Sequence, residues 1–172
     1  MQDAAAPDQP GAGGLLPDLL LDHATCALGR LGQMLLRLSE SRLERIGLRT
    51  RHAGVLMALR DRGPLSQQAL GSLLRIDPAT MVSTVTDLEL EGLVKRGRDS
   101  GDARRHAVTM TPSGAARLEE AETILGGLDD EILVALTPRQ QQGLHQALRC
   151  LARAQTIRQL VDQARLCPSP DR

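Results

Sequence analysis

The chain has 172 residues, balances 21 basic against 21 acidic side chains, and contains no Phe, Tyr or Trp. That length suits one domain, or one domain with a helical extension, and without aromatic rings the core falls to Leu, Ile, Val, Met and Ala. The same lack argues against readers that stack single-stranded bases or RNA on aromatic platforms, while the zero net charge hides a local excess, +3 over residues 47–112.

Residues 1–14, MQDAAAPDQPGAGG, read as a disordered tail rather than a basic-then-apolar signal peptide. No apolar run approaches the ~18 residues that span a bilayer, so a cytoplasmic protein without membrane contact is expected. From Leu15 to Ile46, apolar residues recur at three- and four-residue steps (Leu28, Leu31, Leu35, Leu38), which predicts one long helix stopped by Gly47. Thr50 is placed to cap a second helix carrying Val55, Leu56 and Leu59. Ser66 caps a short third helix with Ala69, Leu70, Leu73 and Leu74 inward. Asp77–Pro78 couples a capping side chain to a proline in the first turn, starting a helix that ends near Glu91 at Gly92. Leu93–Gly97 and His106–Met110 then read as strands around the turn Asp99–Ser100–Gly101–Asp102.

Thr111–Pro112 opens a further helix whose Leu118, Ala121, Leu125, Leu128 and Ile132 form a narrow seam for helix packing. Gly126–Gly127 predict a bend or weak point in it. Thr137-Pro138-Arg139-Gln140 is a capping box opening a last helix to about Arg165, with Leu144, Leu148, Leu151, Ile157 and Val161 roughly on one face. Residues 167–172 are left as a tail. The expected organisation is an N-terminal dimerisation helix (15–46), a DNA-reading domain (47–112) and C-terminal dimerisation helices (113–166). The terminal helices exceed what that domain needs, and a two-fold homodimer would cover their apolar stripes.

Two short helices, a turn and a basic hairpin in that order are the sequence form of a mainly α winged helix-turn-helix with a small two- or three-stranded wing sheet, a module that grips double-stranded DNA. In the wing, Lys95, Arg96, Arg98, Arg104 and Arg105 face only Asp99 and Asp102. Such a patch engages phosphates whatever the average charge, because exposed charges are screened beyond about 8–10 Å. The helix that enters the major groove turns Met81, Val85 and Leu88 inward. Ala79, Thr80, Val82, Ser83 and Thr86 are left toward DNA. These small side chains can touch thymine methyls and make single hydrogen bonds, but not the bidentate Arg–guanine contact. Specificity therefore leans on DNA shape and on the wing. Arg104, oriented by Asp102 through a charge-assisted pair, is the candidate for minor-groove insertion, with Arg98 and Arg105 on phosphates.

The segments LSQQALGSLLRIDPATMV, DLELEGLVKR, Asp102-Ala103-Arg104 and VTMTPSG together resemble the MarR family of bacterial transcriptional regulators, over roughly Gly47 to Glu122. The resemblance implies a triangular homodimer with terminal helices at its interface and a winged head at each lower corner. It implies repression or activation of nearby genes through a pseudo-palindrome. It also implies a small, frequently phenolic effector bound between dimer helices and head, where His23, Ala27, Leu31, His52 and Leu56 would line the cleft. The chain departs from the family pattern at Ala103, often arginine, at Ser83, often larger or charged, and at Thr84, where a buried aliphatic is common.

Some relatives carry a peroxide-sensing cysteine in the first helix, and Cys26 stands there as a candidate redox thiol. Activation needs a lowered pKa or hydrogen-bond donors, and His23, one turn earlier, is the nearest helper. The plainer expectation is that Cys26 packs in the core and Cys150 packs in the last helix, with Cys167 in the tail. His23, His52, His106 and His145 lack zinc-ligand spacing, so no metal or cofactor is expected. No GxSxG, HExxH, Walker or GxGxxG motif points to an enzyme. The rival reading is a thiol-based regulator, or a winged helix used for protein–protein contact without DNA.

Overall fold

The computed structural model describes residues 14–98 and 106–166, so the expected tails lie outside it apart from Gly14. The N-terminal helix is split in two. Pro17 precedes α1 (Asp18–Leu21), His23 takes an extended conformation (φ −112°, ψ 94°), and α2 (Ala24–Leu43) starts after it. Asp22 and His23 are weak helix formers, a local preference that the apolar spacing does not register. A 3₁₀ turn, Glu44–Ile46, follows, and Gly47 supplies the left-handed stop at φ 71°.

In α3 (Thr50–Arg62) the N-cap position belongs to Arg49, not Thr50. The Thr50 hydroxyl and N–H both donate to Glu40 of α2, at 2.6 and 2.7 Å, so that hydroxyl ties two helices instead of capping one. Burial alone would raise the Glu40 pKa, but the two Thr50 bonds and the charges of Arg49 and Arg51 bring it below its ordinary value.

The next two helices keep the caps read from the sequence. Ser66 accepts from Ala69 N–H at 3.1 Å at the start of α4 (Gln67–Leu74), and Asp77 accepts from Thr80 N–H at 2.9 Å at the start of α5 (Pro78–Leu90). Leu70 fills the inward side of α4, whereas Leu73, expected inward, is 42% exposed; an eight-residue helix buries one narrow stripe and Leu73 falls off it. Strands β1 (Val94–Arg98) and β2 (His106–Met110) pair antiparallel, Val94 opposite Met110 and Arg98 opposite His106. Leu65 adds a third edge by exchanging both backbone hydrogen bonds with Val108, at 2.8 and 3.2 Å.

Helix α6 (Pro112–Leu133) runs unbroken through Gly126–Gly127. The chain divides into two compact units between Leu125 and Gly126, next to that glycine pair. In the first unit, Leu43, Leu48, Val55, Leu56, Leu70, Met81, Val85, Leu88, Val108 and Leu118 are each at most 1% exposed. Burying each such side chain is worth roughly 1.5–3 kcal/mol. The early part of α6 is tied in by Arg117, whose Nη1 donates to Ile46 O at 2.6 Å, and by the Arg60–Glu122 ion pair. Gly114 is packed so closely on Leu93 that a Cβ there would lie 2.0 Å from its carbonyl oxygen.

The second unit holds the end of α6, then α7 (Pro138–Arg153) and α8 (Gln155–Leu166) in place of the single last helix expected. Thr137 and Gln140 form the capping box at the start of α7. The break is Ala154, at φ −66° and ψ 122°. Its N–H still reaches Leu151 O at 3.1 Å, so leaving the helix forfeits little hydrogen bonding, and neither proline nor glycine marks the place. Leu144, Leu148 and Leu151 are 37–43% exposed along α7. Cys26 on α2 and Cys150 on α7 are exposed, not packed as expected, because the helices that carry them bury little of their surface within the single chain.

Candidate nucleic-acid interface

Helix α5 is aimed by its two sides. Met81, Val85 and Leu88 are buried, and so is Thr84, at the position where an aliphatic is common. Its hydroxyl donates back to Thr80 O at 2.7 Å, so a threonine enters the core with its polar atom satisfied inside the helix. On the other side, Ala79, Val82 and Ser83 are exposed, and Thr80 and Thr86 are half-buried. The structure thus brings together on one surface the α5 residues expected to meet DNA. Thr80 holds Asp77 as a carboxylate: its side-chain and backbone hydrogen bonds lower the Asp77 pKa, and a negative cap at the first turn suits the helix dipole.

The basic wing is less uniform than its composition suggests. Asp102, Arg104 and Arg105 lie outside the described residues, and Arg98 is described only as the last strand residue of β1. Arg96, counted in the sequence as part of the phosphate-facing patch, instead turns onto the two helices. Its backbone N–H donates to Glu89 Oε1 at 2.9 Å and its Nη1 pairs with Glu89 Oε2. Its Nη2 donates to Thr86 Oγ1 at 2.9 Å and lies 3.4 Å from Val82 O. With the Gln67 amide turned so that its oxygen faces the guanidinium, that oxygen accepts from Nη2 and Nε at 2.9 and 3.2 Å. The Arg96 backbone N–H, followed by its guanidinium, lowers the Glu89 pKa. Sequence spacing offered one sign of this arrangement: an acid in the last turn of α5 and an arginine on the next strand, separated by the Gly92 turn.

A second polar group joins α3 to α5. His52 is 4% exposed, with Nδ1 accepting from Arg49 N–H at 3.3 Å and Nε2 lying 3.6 Å from Asp87 Oδ2. Arg51 Nη2 stands 3.6 Å from the same oxygen. Burial and the Arg51 charge lower the His52 pKa, outweighing the pull of Asp87 and Glu91, so the ring is held neutral.

The residues suggested for an effector cleft are dispersed in character. Leu56 and His52 are core, Ala27 and Leu31 are half-buried, and His23 is exposed before α2. A cavity of about 320 Å³ along α1 and α2, lined by Leu16, Leu20, Arg30, Met34 and Arg37 among others, includes none of them. Among the described residues there is no His, Cys, Asp and Glu group able to hold a metal, and no helix long and apolar enough to cross a membrane.

Residues 46–105 match the MarR family model. The transcriptional regulator HosA of Escherichia coli is 32% identical over 95 residues, which are 55% of this chain and 70% of HosA. The HTH-type transcriptional repressor NicR of Pseudomonas putida is 44% identical over 64 residues, 37% of this chain and 40% of NicR. Among solved structures, Bordetella bronchiseptica BpsR, whose DNA binding is regulated by 6-hydroxynicotinic acid, shares the fold. Its TM-score is 0.67 at 24% identity, covering 84% of this chain and 99% of BpsR. The capped helix pair, the strand pair behind it and this agreement over the DNA-reading segment place the chain in the MarR family of winged helix-turn-helix transcriptional regulators.

Proposed function

We propose that this regulator binds a pseudo-palindromic operator as a cytoplasmic homodimer, acting as a repressor that a small-molecule effector releases. The observation that carries the DNA-binding surface is α5 itself, capped at Asp77, locked inward by Met81, Val85 and Leu88, and open along Ala79, Thr80, Val82, Ser83 and Thr86. The uncovered Leu144, Leu148 and Leu151 support dimerisation through the terminal helices. Repression and effector release take their support from NicR, named a repressor, and from BpsR, which a small molecule regulates. In the dimer, α5 of each subunit enters successive major grooves, with half-sites about 10 bp apart. Arg104, oriented by Asp102, inserts in the minor groove, while Arg98 and Arg105 meet phosphates.

The test is fluorescence anisotropy with a labelled duplex selected by the wild-type protein from a random library, run across a salt series. Tight binding that weakens steeply with salt is expected. Arg104→Ala should cost roughly 1–3 kcal/mol. Equal affinity of Arg104→Ala for that duplex would show that the wing assignment is wrong.

A further inference from the structure

We infer that Arg96 is a positioning residue for DNA reading, not a phosphate contact: it locks the recognition helix α5 to the wing strand β1 and to α4, and it fixes what Thr86 can present to a base. The inference rests on the operator-binding role proposed above. Three observations carry it. First, the guanidinium nitrogens are already engaged: Nη1 by Glu89, Nη2 by Thr86 and Gln67 with Val82 O at longer range, and Nε by Gln67. A planar fork matched to acceptors on separate elements sets their mutual geometry, which a lysine point charge cannot do. Second, the Arg96 side chain is only 30% exposed and its charge is paired with Glu89, so it offers little net attraction to a phosphate. Third, the Thr86 hydroxyl donates its proton to Val82 O at 2.8 Å and accepts from Arg96 at 2.9 Å. A hydroxyl has one proton and two lone pairs. Thr86 therefore has no proton left for a base and offers DNA its methyl group and a single lone pair, a surface that suits a thymine methyl over a base that needs a donor.

The two possible roles of Arg96 give opposite signs for one substitution. If Arg96 contacts phosphate, Glu89→Gln frees its charge and tightens binding. If Arg96 positions α5, Glu89→Gln loosens the lock and weakens binding. The experiment measures wild type, Glu89→Gln, Arg96→Lys and Arg96→Gln by anisotropy, on the selected duplex and on a scrambled one, across a salt series. Thermal unfolding of each variant is recorded alongside. The expected result is a loss of about tenfold on the selected duplex for Glu89→Gln and Arg96→Lys. For the charge-conserving Arg96→Lys, affinity for the scrambled duplex and the salt slope should stay as in wild type, because neither a phosphate contact nor a charge is lost. Unchanged or tighter binding of Glu89→Gln, or a salt slope lowered by about one in Arg96→Gln, would overturn the inference. Should Arg96→Gln fail to fold, the charge-conserving Arg96→Lys and near-isosteric Glu89→Gln decide the matter by the same readouts. Failure of the wild type to enrich or bind any duplex would instead overturn the operator-binding proposal itself.

Discussion

The two units of the chain meet the same physical requirement in different ways. Residues up to Leu125 close a core on themselves, with Leu43, Val55, Leu70, Met81, Val85, Leu88 and Leu118 withdrawn from water. From Gly126 onward, the most regular apolar stripe, Leu144, Leu148 and Leu151, stays 37–43% exposed. Both segments use the same aliphatic side chains, so composition does not separate them. What differs is the number of elements converging on each stripe. Around α5 are α3, α4 and β1 from the same chain, whereas the stripe of α7 is left partly in water. A self-sufficient head and an incompletely buried helical unit fit the homodimer proposed above, in which assembly would supply the missing contacts.

The largest expected effect attacks the incomplete unit. In the proposed dimer, Leu148→Asp should raise the dissociation constant about 100-fold or more, since a charge would be buried in an apolar interface. Sedimentation over a concentration series reads this, and an intact dimer would place the interface elsewhere. The next attacks the complete unit. Gly114→Ala should destabilise the head by about 2–3 kcal/mol, because its Cβ would meet the Leu93 carbonyl at 2.0 Å and backbone must shift to relieve it. Urea unfolding of the variant checks it, and a midpoint equal to wild type would contradict the packing described. The smallest effect concerns His52. With its folded pKa below the ordinary 6.5, the unfolded chain takes up the proton first as pH falls. Stability is therefore unaffected well above that value, declines as pH drops through it, and levels off once the folded protein also protonates. His52→Gln should flatten that part of the profile of thermal midpoint against pH, and an identical slope in the variant would assign the dependence to other groups.

Local features were legible in the sequence because they act over three or four residues. Ser66, Asp77–Pro78 and Thr137 with Gln140 each cap the helix expected, and Gly47 stops the helix before it. Inward and outward sides of α5 followed from spacing alone. What spacing missed depends on partners distant along the chain. Thr50 left its capping role for Glu40, ten residues back. Arg96 left the phosphate patch for Glu89, Thr86 and Gln67. The exposure of Cys26 and Cys150 follows from the number of surfaces packed against α2 and α7, which periodicity does not encode. The stop at Ala154 has no marker residue, because a helix can end there at the cost of very few bonds.

The aromatic-free core has a consequence for how this protein can be watched. A loss of side-chain packing ordinarily shows as a collapse of the near-ultraviolet circular dichroism signal while the far-ultraviolet signal persists, yet without Phe, Tyr or Trp in the chain that band has almost nothing to report. The same core is dense in methyl groups, from Leu48 and Leu56 through Met81 and Val85 to Val108 and Leu118. Methyl-resolved nuclear magnetic resonance would therefore place reporters throughout the reading head. With no Phe, Tyr or Trp ring to spread them and only the His52 imidazole buried among the described residues, their shifts will cluster close to one another, and selective labelling of Met81 and the valines will be the practical way in.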